Sequence, residues 1–203
     1  MLCEKFAVGN VCYALIGAAI PLMISGGFHV DGYMDTMDAF HSYQSREKKL
    51  EILKDSHIGA FAAIMLALYY MIDIAAISEI HTQKAVSAVA AVFFRRDALD
   101  GIAVMTLQPA KKEGLLYTFA SSAQKVRVKA ALYFQAALCV VLMLLVSGWY
   151  GAAAIGAALL SFFYFKKKSY KELGGITGDT AGFFVTVCEA AAAAAVAVAG
   201  YFL

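Results

Sequence analysis

The sequence predicts an all-α fold, a polytopic membrane helix bundle of about six transmembrane helices with a cytoplasmic amphipathic helix. It forms a single integral membrane domain over residues 1–203. Three observations carry this reading. Of the residues, 62% are hydrophobic and 16% charged, against roughly 25% charged in an ordinary soluble domain. Apolar stretches recur near 7–25, 58–80, 85–107, 130–149, 150–165 and 180–203, most of them close to the ~20 residues a helix needs to cross a hydrocarbon core. The polar segments between them alternate, strongly basic on one side and short and nearly neutral on the other.

The first stretch follows a start, Met1-Leu-Cys-Glu-Lys, with neither the basic region nor the small-residue site of a cleavable signal, so it is expected to remain as a span. The stretch 85–107 is the weakest crossing, because Arg95, Arg96, Asp97 and Asp100 interrupt it and charges at bilayer depth must face the bundle interior. The stretch 150–165 is short for a span. If all six cross, loops 26–57, 108–129 and 166–179 share one side. They hold Arg46, Lys48, Lys49 and Lys54, then Lys111, Lys112, Lys125, Arg127 and Lys129, then Lys166, Lys167, Lys168 and Lys171, thirteen of the 17 basic residues. An excess of Lys and Arg marks cytoplasmic loops, so all three are expected in the cytoplasm. Leu50, Leu53 and Ile58 among the charges of 46–58 give the amphipathic interfacial helix. The run Ala190–Ala195 fits close helix packing in lipid. Cys3, Cys12, Cys139 and Cys188 lack the spacing of a zinc or redox motif and read as packing thiols.

The segment Ser25-Gly-Gly-Phe-His-Val-Asp-Gly-Tyr-Met-Asp-Thr-Met-Asp-Ala-Phe40 concentrates the chemistry. Asp31, Asp35 and Asp38 stand at i, i+4 and i+7, which places three carboxylates on one helical face. Their repulsion is relieved by a cation, and hard carboxylate oxygens suit Mg²⁺, which binds through a few carboxylates plus substrate phosphate. Gly26, Gly27 and Gly32 among the acids permit close approach to a ligand. His29 is a candidate base or phosphate contact. Lys54 and Asp55 lead into the next span, where an anionic ligand and its cation could be gripped. In Gly174-Gly-Ile-Thr-Gly-Asp-Thr-Ala-Gly182, Gly175, Thr177 and Gly178 could form a phosphate-binding loop at a helix N-terminus, with Asp179 a further metal ligand. Glu189 lies inside the last span, where a carboxylate is functional unless it pairs with Arg95 or Arg96. Gly-x-Ser-x-Gly, Walker and His-Glu-x-x-His patterns are absent from the sequence. Membrane orientation accounts for the basic residues, so no nucleic-acid partner is expected.

Gly26–Asp38 resembles the Gly-Gly-x-His-x-Asp-Gly-x-x-Asp-x-x-Asp signature of the cobalamin synthases, the adenosylcobinamide-GDP ribazoletransferase family. Leu50-Glu-Ile-Leu-Lys-Asp-Ser-His-Ile-Gly59 and Gly174-Gly-Ile-Thr-Gly-Asp179 are similar to its later motifs, with His57 where the family has Arg. Arg96 and Lys111-Lys-Glu-Gly114 resemble an intramembrane Arg and an Arg-Pro-Glu-Gly element less closely. Family members usually carry a further N-terminal segment and span, so the chain is expected to lack it.

The resemblance implies a multi-pass protein of a prokaryotic plasma membrane, its active site facing the cytoplasm. The implied reaction joins adenosylcobinamide-GDP to α-ribazole, or its 5′-phosphate, with release of GMP. Asp31, Asp35, Asp38 and Asp179 would bind Mg²⁺. His29 or Asp35 would take the hydroxyl proton, with Lys54 on phosphate and Gly27, Asp55, Gly175, Thr177 and Gly178 around the substrate. The lipid membrane is the other expected partner, and a homo-oligomer is left open. Two other readings compete with it. A CDP-alcohol transferase would share the acidic logic, but Asp31-Gly-Tyr-Met-Asp-Thr lacks that family's Ala-Arg. An ion-coupled transporter would use Arg95, Asp97, Asp100 and Glu189 as an intramembrane relay.

Overall fold

The computed structural model describes residues 8–111, 115–120 and 125–202. Cys3, Lys112, Glu113 and Gly114, and the side chains of Arg95 and Lys125, lie outside the described residues. The described residues form helices α1 (Asn10–Ser25), α2 (Phe28–His41), α3 (Arg46–Ile52), α4 (Ala60–Ser78), α5 (Gln83–Thr106), α6 (Leu115–Ala120), α7 (Lys125–Ser147), α8 (Trp149–Leu173) and α9 (Gly178–Gly200). The all-α expectation holds, and each of the six apolar stretches contains a helix.

Their suitability for crossing a membrane differs. Among the described residues, α4, α9 and Val126–Ser147 of α7 are long and apolar enough to span. Helix α1, 16 residues long, passes only together with α2, from which it is bent by 95°. That makes three spans, or up to four, against about six expected. Helices α5 and α8 have 24 and 25 residues, enough in length, but Arg95–Asp100 interrupts the first and Lys166–Lys168 ends the apolar part of the second.

The sharp bend between α1 and α2 is made by two consecutive left-handed glycines, Gly26 at φ 61° and Gly27 at φ 84°, a conformation costly for other residues. Helix α2 therefore leaves the line of α1 toward the end of the bundle where α4 and α9 begin, the bent pair counting as at most one span. There it packs along the first halves of α4 and α9: Tyr33 stacks on Phe183 and meets Tyr69, while Phe40 packs edge-on to Phe183. At the opposite end the Tyr13 hydroxyl donates to the Ile80 carbonyl at 2.6 Å, and the Tyr201 hydroxyl donates to Glu79 at 2.9 Å. Between α7 and α8 stands only Gly148, with φ 55°.

The three basic loops meet at the α2 end. The Lys49 ammonium reaches Glu172 at 2.5 Å, Lys111 donates to the Leu50 carbonyl at 3.1 Å, and Pro109 and Ile176 form a parallel bridge. These contacts join the first loop to the third, the second to the first and the second to the third. The expectation that all three share a side follows directly from them. Lys49, which the sequence reading treated as a topology charge, is buried, its partner Glu172 also held by Lys168 at 3.1 Å.

Candidate active site

The site grows from α2. Its helical register puts Asp31, Asp35 and Asp38 on one face, Asp31 exposed and the other two half-buried. Asp179 approaches them because two glycines allow α2 and α9 to touch backbone to backbone. A Cβ on Gly32 would stand 2.9 Å from the Asp179 carbonyl oxygen and 3.1 Å from its Cα. One on Gly182 would stand 2.9 Å from the His29 carbonyl and 3.3 Å from the Gly32 Cα. Small residues permit such crossings. The Thr186 hydroxyl donating to the His29 carbonyl at 3.2 Å locks the register.

The electrostatics follow. Partial burial first, then the charges of Asp31, Asp179 and Asp38, push the Asp35 carboxyl up from 3.8 to about 6. Asp31 also acts on Asp179, and Lys111 lies near enough to Asp179 to offset part of the negative field. Among the described residues, no three His, Cys, Asp or Glu side chains are already gathered tightly enough to enclose a metal ion. The donors nevertheless suit Mg²⁺: hard oxygens, mutually repelling, with Asp31 open to solvent. An ion here would be held by a few carboxylates and complete its shell from water and substrate phosphate, the usual habit of Mg²⁺.

Asp38 is engaged elsewhere. Its Oδ2 accepts the Gly59 N–H at 2.6 Å and its Oδ1 the Ala62 N–H at 2.8 Å, at the start of α4. His29 also departs from expectation. At about 100° per residue it stands roughly 180–240° round α2 from the three aspartates. It lines a small internal cleft with Tyr69, Tyr70 and Glu189, its Nδ1 buried without a hydrogen-bond partner among the described residues. The geometry does not bring it to the carboxylate face.

Gly27 serves the bend and lines a shallow depression beside Asp31. Gly175 is buried where the chain passes Gln108 and Ala110, so its missing side chain serves the loop pairing. Ala110 N–H donates to the Ile176 carbonyl at 2.8 Å, and Ile176 N–H to that of Gln108 at 2.9 Å. Thr177 forms a reciprocal capping box with Thr180 and donates its hydroxyl to Asp179 at 3.4 Å. Of the expected phosphate loop, Gly178 alone is exposed with open space above it.

Lys54 and Asp55 are exposed on the loop before α4. Asp55 accepts the backbone N–H of His57 at 3.1 Å and contacts its Nδ1 at 2.6 Å, which holds the carboxyl below and the imidazole above their ordinary values. The Arg46 guanidinium packs over Gly174. Lys111, a charge beside Asp179, and Arg46, a contact of the third loop, were not among the expected site residues, although Lys111 stands in the segment that resembles the family's Arg-Pro-Glu-Gly element. The clustering of basic residues was the signal that could have found both. Deeper in the bundle Glu189 pairs with Arg96, which also lies 3.4 Å from Asp97.

The chain is similar to the adenosylcobinamide-GDP ribazoletransferase of Lachnoclostridium phytofermentans, 42% identical over 192 residues, or 95% of this chain and 73% of that protein. Proteins of the same name from Clostridium botulinum (strain Alaska E43 / Type E3) and Clostridium perfringens (strain 13 / Type A) are 32% and 30% identical. They cover 84% and 92% of this chain and 68% and 74% of their own lengths. No solved structure matches. The family described as cobalamin-5-phosphate synthase matches residues 1–197, and the chain belongs to that family.

Proposed function

We propose that this chain is an Mg²⁺-dependent membrane transferase that joins adenosylcobinamide-GDP to α-ribazole or its 5′-phosphate and releases GMP. Its site would face the cytoplasm of a prokaryotic cell. The observation that carries the proposal is the Gly32–Gly182 crossing, which sets Asp179 against the aspartate face of α2 where three basic loops converge.

In the proposed reaction a ribose hydroxyl forms a new bond to the phosphorus nearest the cobinamide. The bond from that phosphorus to the bridging oxygen breaks, and GMP carries the bridging oxygen away. Such transfers rely on positioning and charge neutralisation more than on covalent help from the protein. Asp31, Asp35 and Asp179 would hold Mg²⁺, which when bound supplies positive charge against the diphosphate oxygens. Asp35 is assigned to take the hydroxyl proton through its other oxygen, because it stands at the centre of the carboxylate face. Lys54 would contact phosphate, and Lys111 would temper the field at Asp179. His29 has no part in this scheme, because it faces the interior of the bundle.

The test uses purified protein in detergent with adenosylcobinamide-GDP, α-ribazole and Mg²⁺, followed for GMP and cobalamin. GMP formation that needs both substrates and stops on chelation supports the proposal. Absence of GMP from folded protein would overturn it.

A further inference from the structure

Helix α4 starts at Gly59, a residue with no side chain to cap it, and no local side chain does so. The first N–H groups of a helix still need acceptors when they are shielded from water, and Ala62 is 1% exposed. The acceptor comes from another helix. Asp38 places one carboxylate oxygen on the Gly59 N–H at 2.6 Å and the other on the Ala62 N–H at 2.8 Å, short enough to be charge-assisted. Gly59 is fitted to it: a Cβ there would lie 2.5 Å from Oδ1 and 2.6 Å from Oδ2. Aspartate and glycine form one lock, with a negative charge seated on a helix N-terminus, where the helix dipole favours it.

The geometry points to Asp38 as a positioning residue: it fixes the start of α4, and with it the loop carrying Lys54 and Asp55, one turn of α2 from Asp35, and does not itself bind the metal. This inference rests on the reading of Asp35 as part of the active site. It has a second consequence: the N-terminus of α4 is already occupied by an anion, so it is not the seat of the substrate diphosphate.

Two measurements on detergent-purified full chain separate positioning from ligation. Hydrogen exchange of the amides 59–62 should be roughly tenfold faster in Asp38→Ala than in wild type, the scale of a lost helix cap, and unchanged in Asp35→Asn. In the transferase assay, Asp38→Asn should raise the nucleotide-substrate KM roughly tenfold while the Mg²⁺ half-saturation stays within about twofold. Gly59→Ala keeps every carboxylate yet drives a methyl into Asp38, so it should reproduce the KM rise, again with Mg²⁺ half-saturation unmoved.

A tenfold or larger weakening of Mg²⁺ half-saturation in Asp38→Asn, or wild-type kinetics in Gly59→Ala, would overturn the inference. So would amide exchange that Asp38→Ala leaves unchanged. Should an Asp38 variant fail to fold, Gly59→Ala decides alone. Should wild type release no GMP, the exchange measurement still decides the lock while the transferase reading falls separately.

Discussion

Asp35 offers the sharpest perturbation, because the arrangement that would make it useful should also strain the protein. Burial and three neighbouring acids raise its carboxyl from 3.8 to about 6. At 1.36 kcal/mol per pH unit, the ionised form in the folded protein is disfavoured by at most about 3 kcal/mol. Because Asp35 is only half-buried, solvent screening reduces this to about 1–2 kcal/mol. The sign follows from proton linkage. The folded state binds the proton more tightly than the unfolded one, so stability falls as pH rises through the window from 3.8 to about 6, and the full penalty is present above it.

Asp35→Asn should therefore stabilise the metal-free protein at pH 7.5, raising Tm by about 4 °C for a chain of this size. The same substitution should lower Mg²⁺-dependent turnover at least roughly 100-fold, the scale on which loss of one transition-state stabiliser is felt. Thermal unfolding in detergent with and without Mg²⁺ checks the first part: wild type should gain from the ion, and the variant should gain much less. A variant that is less stable without metal, or that keeps the full Mg²⁺ gain and full turnover, would refute the reasoning.

Three further expectations follow from the same geometry. Gly32→Ala pushes a methyl against the Asp179 backbone and should destabilise by about 1–2 kcal/mol, with a larger proportional loss of turnover than of Tm; equal, small losses would detach the crossing from the site. Arg96→Met and Glu189→Leu, each leaving a buried charge without its partner, should each cost about 3–5 kcal/mol while the double variant stays near wild type; unfolding in bicelles reads this, and additive losses would deny the pair. Single cysteines at Lys48 and Lys167 in a cysteine-free background should resist an impermeant reagent applied outside intact cells and react after lysis; labelling from outside would reverse the orientation.

Much of the site was legible because its determinants are local. The spacing of Asp31, Asp35 and Asp38 needs only a helix, and Gly26-Gly27 followed by that helix is a start signal that chain-level reading can use. That loops 26–57, 108–129 and 166–179 come together was legible too, since lysine clustering groups them without any contact being known. His29 shows a local reading that stopped short: two residues before Asp31 on the same helix, it had to face away from the acids, and helical phase alone says so.

The remainder depends on partners distant in sequence. Nothing near Asp38 announces that Gly59 and Ala62 will take both of its oxygens, and nothing near Lys49 announces Glu172, 123 residues on. The glycines were ambiguous for a related reason. Close approach to a ligand, a left-handed turn and a backbone crossing all require the absence of a side chain, and only packing tells them apart. Gly27 proved to be the turn, Gly32 and Gly182 the crossing, Gly59 and Gly175 the accommodation of another chain segment. A signature rich in Asp and Gly thus mixes residues that meet the substrate with residues that bring helices together. Conservative substitutions sort them: Asn for Asp should alter metal dependence in the first group, while Ala for Gly should alter helix spacing in the second and leave metal affinity intact.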